Sequence, residues 1–172
     1  MLPAAQALIA ELDVETATTR RVLERVPADR YSWQPHPKSL SAGQLAQHIA
    51  LIPGVMARVA QTDTVDLSTR GREYASAENT AALLSTLDDS VAAARAYLAT
   101  LDERSAADIF RLTLGDREIA SFPRLGVMRT MCLNHWYHHR GELVVYLRLL
   151  GVSVPVVYGR SADESPFPPS AA

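Results

Sequence analysis

With 172 residues, 48% of them apolar, and 17 basic against 19 acidic side chains for a formal charge of −2, the chain is long enough for one domain with a real core and too hydrophobic to stay disordered. That balance, with Lys38 as the single lysine, leaves no electrostatic footprint for nucleic acid. No run of about 18 apolar residues predicts a membrane span, the start lacks a basic signal-peptide region, and one cysteine, Cys132, excludes an internal disulfide or a paired-cysteine metal knuckle; a cytoplasmic protein is expected.

Leu8, Leu12, Thr19, Val22, Leu23 and Val26 recur at helical spacing after Pro3, which suits a first turn, so a first helix is predicted to Val26. Three prolines between Pro27 and Pro37 end it. Ser41 and Gln44 have the spacing of a capping box, with Leu40 and Leu45 at the staple positions, so a second helix starts there. Its apolar stripe is Leu45, Ile49, Ile52, Met56 and Val59, with a kink expected at Pro53. Residues 61–77 are polar, without a clear period, and are expected to be a long connection. Leu84, Leu87, Val91, Ala94, Leu98 and Leu101 form a bundle seam on a third helix. The stretch from Asp108 to Phe122 alternates around Gly115-Asp116 and suits a short hairpin or an ordered loop. A last helix runs from about Pro123 to Leu150 and stops at Gly151, a good residue to end on. The Pro- and Ser-rich tail, 152–172, is expected to be irregular and mobile at its end, with "VPVVYG" able to pack back. The pattern predicts one all-α domain over 1–172, an antiparallel four-helix bundle (about 2–151) with a long crossover connection.

Three of the five histidines, His135, His138 and His139, fall within five residues of the last helix. At about 100° per residue, with His135 at zero, His139 lies near ~40°, while Tyr146 and Met128 (~20°), Met131 and Leu149 (~320°) and Leu150 (~60°) mark what reads as the inward face. His138 falls at its edge, near ~300°, and Arg140 and Val144 fall well away. His135 and His139 therefore form an i, i+4 pair able to share one metal ion. His48 lies between Leu45 and Ile52 on the stripe of the second helix, and bundles build metal sites from inward side chains on facing helices. Either these three are ligands, or they are core histidines satisfied by hydrogen bonds. Unpaired, each would carry a desolvation penalty. Glu142, near ~340°, reads as a fourth ligand, a group that orients a histidine, a general base or a rim carboxylate, with the orienting and rim readings favoured over a ligand. His36, between two prolines, and Cys132, a buried thiol, have structural readings, and Tyr31, Trp33 and Trp136 are expected to pack.

Three segments, "YSWQPHPKSLSAGQLAQHIALIP" (31–53), "LNHWYHHRGELVVYLRLLG" (133–151) and "VPVVYGRSADE" (154–164), resemble the DinB-like, or YfiT-like, superfamily. The resemblance covers most of the chain, and the H-x-x-H-H-R-G element from His135 to Gly141 is its specific part. It implies a four-helix bundle holding a metal through His48, His135 and His139, the three that helical phase selects, with His138 in the motif but not a usual ligand. It also implies a homodimer. Many relatives have Gln where this chain has Glu142, and proline where it has Arg160; either change can alter substrate preference. Characterised relatives include maleylpyruvate isomerases that use mycothiol and S-transferases that use bacillithiol or similar thiols. Nitrogen ligands suit Zn or Ni. The expected function is that of a metal-dependent thiol S-transferase acting on a small molecule, with a low-molecular-weight thiol as cosubstrate. A metal-binding stress-response or sensor bundle without turnover and a metal-assisted hydrolase are the alternatives.

Overall fold

A computed structural model describes residues 1–69, 71 and 74–167. Its helices are α1 (Pro3–Glu24), α2 (Ala42–Ala60), α3 (Thr80–Thr100), the five-residue α4 (Glu103–Ala107), the short α5 (Arg124–Gly126) and α6 (His135–Leu149), with a π-helical segment, Val127–Asn134, running from α5 straight into α6. The long helices pack as α1 on α3, α2 on α3, and α2 against both the π segment and α6. The predicted stripes of α1 and α3 are in the core, with Leu8, Leu12, Thr19, Val22, Leu87, Val91 and Leu98 buried. The capping box of α2 is formed: the Gln44 N–H donates to Ser41 Oγ, and the Ser41 N–H donates to Gln44 Oε1.

The all-α expectation needs correction. Three strands, β1 (Thr64–Asp66), β2 (Ile109–Leu114) and β3 (Arg117–Pro123), form a small sheet in that order. The alternation in 108–122 makes the β2–β3 antiparallel hairpin, closed by a two-residue turn with Gly115 at φ 59°, the first central position of a II′ turn. The polar connection supplies β1, parallel to β2. Three residues are too few to show a period of two, which is why the sequence hid it.

Pro53 sits in the middle of α2, which continues unbroken to Ala60. A proline cannot donate to the carbonyl four residues back, here that of Ile49. Trp136, fully buried in α6, takes the place of that donor: its Nε1–H donates to Ile49 O at 2.9 Å. One residue on, the Gly54 N–H donates to Ser90 Oγ of α3 at 2.7 Å, and the Ser90 hydroxyl donates to Leu51 O. A Cβ at position 54 would lie 3.1 Å from Ser90 Cα, so glycine is what lets α3 approach.

The buried face of α6 is Trp136, Arg140, Leu143 and Leu147. These fall at about 80–140° on the wheel that has His135 at zero. The face predicted around Tyr146 and Leu149 is therefore displaced, and Leu149 is 60% exposed. The prediction extended a regular helical step through Met128 and Met131, which lie in the wider π turn. Arg140, placed outside by that count, is 1% exposed. Its guanidinium meets Glu15 of α1 at 2.6 Å, donates to Thr19 Oγ1 and to Tyr158 Oη, and lies over the rings of Tyr137 and Tyr158.

α6 ends in a Schellman motif: Gly151, at φ 71°, donates to Arg148 O, and Val152 donates to Leu147 O. The tail then packs back as expected. Val154 is buried, and Asp163 and Glu164 pair with Arg148 and Arg25. The expected mobile end, 168–172, lies outside the described residues.

Removing one partner of a buried ion pair leaves the other charged and desolvated. Arg140→Met is expected to lower unfolding free energy by about 3–5 kcal/mol in urea titrations, and adding Glu15→Leu to recover most of the loss. Equal losses for the single and double variants would show that the pair does not act as a unit.

Candidate metal centre

His48 stands one residue before Ile49, whose carbonyl receives Trp136, and His135 stands one residue before Trp136. The Trp136–Ile49 hydrogen bond therefore sets the register of the two histidines across the α2–α6 contact. His139 follows one turn after His135 on the same side of α6. All three are half-buried, at the margin of the core face and not within it.

Their Nε2 atoms converge. His139 Nε2 lies 2.7 Å and His48 Nε2 3.4 Å from His135 Nε2. One ligand atom from each lies within 4.8 Å of the other two, so the trio could hold a metal ion. The rings are splayed, at interplanar angles of 59–80°, so the lone pairs approach from different directions. Burial, and then the neighbouring imidazoles, push the pKa values of His48 and His135 down to about 4; for His135 a backbone hydrogen bond to Met131, and for both the Glu142 charge, act the other way. Both are neutral at pH 7 and able to donate lone pairs.

Glu142 lies behind His139, not in front of it. The Nδ1–H of His139 donates to Glu142 Oε2 at 2.6 Å while its Nε2 faces His135, so the imidazole stands between the carboxylate and the point of convergence. His138 points outward, its side chain 63% exposed, and meets the other oxygen of Glu142 at 3.3 Å. Cys132 is buried and its thiol pushed up to about 12 by burial, an inert group as expected. Tyr31 is buried, Trp33 packs edge-on against Tyr146, and His36 stays in its loop, accepting from the Lys38 N–H.

Two features escaped the sequence reading. Tyr74, in the connection before α3, sets its ring edge-on to His48 at 5.2 Å. A cleft of about 690 Å³ opens beside the histidines, lined by His48, His135, Tyr74, Gln47 and apolar residues of α2, and by Leu67 and Leu114. Tyr74 and Leu67 lie in a segment without periodicity, so no pattern could have pointed to them. No described helix is long and apolar enough to cross a membrane.

The DinB family model matches residues 1–169. The chain belongs to the DinB family. Its fold recurs in a DinB-like protein from Bacillus cereus, 20% identical with a TM-score of 0.69, where the match covers 89% of this chain and 97% of that one. It recurs in the DinB-like protein YjoA from Bacillus subtilis, 20% identical with a TM-score of 0.65, over 87% and 96% of the two chains. A protein assigned to the same family from Exiguobacterium sibiricum is 22% identical with a TM-score of 0.68, over 91% and 97%. At these identities the likeness speaks for the fold alone. No curated protein matches the chain.

The depressed imidazoles give a signed prediction for metal-free protein. Unfolded histidines bind protons from about pH 6.5 downward, while His48 and His135 resist until about pH 4. Their contribution to stability is full above 6.5 and declines as pH falls toward 4. The melting temperature of chelator-treated protein is expected to drop between pH 6.5 and 5, and less so in a His48→Asn/His135→Asn variant. Equal pH dependence in the two proteins would contradict the assignment.

Proposed function

We propose that the chain is a divalent-metal protein in which His48, His135 and His139 hold one ion, with zinc or nickel favoured by an all-nitrogen donor set. The observation that carries this is the convergence of three Nε2 atoms from two helices on one point. With its Nδ1–H given to Glu142, a neutral His139 presents an unprotonated Nε2 to the point of convergence. Glu142 supports the reading, because a ligating histidine characteristically donates its other ring N–H to a carboxylate, which fixes tautomer and orientation. Its role here is to position His139.

We further propose that the reaction is thiol S-transfer to a small organic acceptor. Three neutral ligands would leave an ion its full charge and an open position, which favours loss of the proton from a thiol brought to it. The thiolate sulfur would then form a bond to an electrophilic carbon of the acceptor, and the leaving group would depart with its electron pair. The adjoining cleft, within the usual size range of small-molecule sites, has room for such an acceptor. Assembly as a homodimer is supported by Val145 and Leu149, one turn apart on α6 and 57% and 60% exposed.

Metal analysis of purified protein is expected to find close to one ion per chain, lost in His48→Ala, His135→Ala and His139→Ala and retained in His138→Ala. Retention in all three single variants would overturn the site. Glu142→Gln should keep the ion, because three ligands remain, but weaken its affinity by about 10–100-fold, read by competition with a chromogenic chelator. Undiminished affinity would leave Glu142 a rim carboxylate. A screen of low-molecular-weight thiols with electrophilic acceptors tests the reaction: conjugates should form with metal-loaded protein and not with His135→Ala. A metal-loaded protein that forms none would instead be a binding or sensor bundle.

A further inference from the structure

The cleft beside the histidines is not a neutral vestibule. From His48 it follows one stripe of α2 through Leu51, Ile52, Val55 and Met56. Eight residues of helix separate His48 from Met56, a path of about 12 Å at the helical rise. Leu67 and Leu114 also line the cleft and leave 40% and 54% of their surface exposed. They come from distant parts of the chain, yet one group holds both in place: Asp66 Oδ1 accepts from the Ser68 N–H and the Gly115 N–H, each at 2.9 Å. Leu114 ends β2, and Leu67 opens the 3₁₀ turn Leu67–Thr69 that follows β1, so both reach the same cleft as the α2 stripe. One end of the cleft carries His48 and His135, with the Tyr74 ring against His48.

We propose that this cleft recognises the apolar body of an amphipathic substrate, a chain or ring system up to about 12 Å long, whose polar donor head lies at the histidines. The proposal rests on the metal reading above for the head and on the cleft alone for the body. Walls made mainly of aliphatic side chains select by removing apolar surface from water, and each methylene so buried strengthens binding by about fourfold at most. A small polar substrate would leave those walls wet and gain nothing from them.

The test uses two probe series on zinc-loaded and on chelator-treated protein: straight-chain hydroxamic acids from two to eight carbons, and primary alcohols of the same lengths. Affinities are measured by calorimetry or by displacement of an environment-sensitive naphthylamine dye. Affinity is expected to rise two- to fourfold per methylene up to about six carbons in both series, with an added gain for hydroxamates only when zinc is present. Leu67→Ser/Leu114→Ser, both at exposed positions, should weaken octanohydroxamate by about tenfold, with unchanged zinc content as the check on the helices. Hydroxamates that bind the zinc-loaded protein with no dependence on chain length would overturn the proposal and leave the metal reading standing. A chain-length dependence in both series, with no gain from zinc, would support the cleft and remove the metal. No binding by either series would overturn the proposal.

Discussion

One hydrogen bond, from Trp136 to the carbonyl of Ile49, fixes how α6 lies on α2, and the candidate site is a consequence of that register. Pro53 makes the bond available by withdrawing the N–H that would otherwise occupy the carbonyl. A buried indole N–H needs an acceptor, and a buried carbonyl needs a donor. Each defect satisfies the other, and only one relative placement of the two helices does so. His48 and His135, the sequence neighbours of the two bonded residues, are then opposed by construction. Sliding α6 by one turn would separate them by about 5 Å along the helix and leave both polar groups unpaired.

One turn along the same buried face, α6 is held by charge. Arg140 is buried against Glu15, an arrangement whose desolvation penalty offsets much of its attraction. Its value lies in specificity. Glu15, the Thr19 hydroxyl and the Tyr158 hydroxyl from the tail meet the guanidinium together, so α1, α6 and the tail must all be in place for the full set to be satisfied. No buried side-chain polar atom lacks a partner among the described residues. The motif that carries the histidines therefore also carries an anchor to α2 at Trp136 and an anchor to α1 at Arg140, within six residues.

The long helices, the capping box, the Gly151 stop and the three converging histidines were legible because each rests on local rules or on a 3.6-residue period. The legible part had a limit at the π segment. Carrying a regular step backward through Met128 and Met131 centred the core face near Tyr146, about a quarter turn from where the buried residues of α6 place it. The three histidines come together even so, because the relative phase of His135 and His139 lies wholly inside α6. Arg140 was misplaced by the same error, although a second signal existed: Glu15 falls on the buried stripe between Leu12 and Thr19, and a carboxylate there demands a cation from another helix. The sheet and the wall it presents were not legible, since β1 is three residues long and its pairing with β2 is a contact across the chain.

Scaffold and site are thus separated by angle around one helix. Trp136, Leu143 and Leu147 occupy the core face of α6, and His135 and His139 sit about 70–110° from its centre. That offset is what a ligand site on a helical scaffold requires. Histidines on the core face would be sealed by packing, and histidines on the far face would be solvated and free to rotate. At the margin, all three rings are half-buried, and His48 and His135 border the cleft. The bracing is extended outward by Glu142, which has one exposed flank on His138 and the other on the Nδ1 of His139. Orientation of the site is set by groups that never reach it, and the open side is left for Leu114 of the sheet and Leu67 of the turn after β1 to shape.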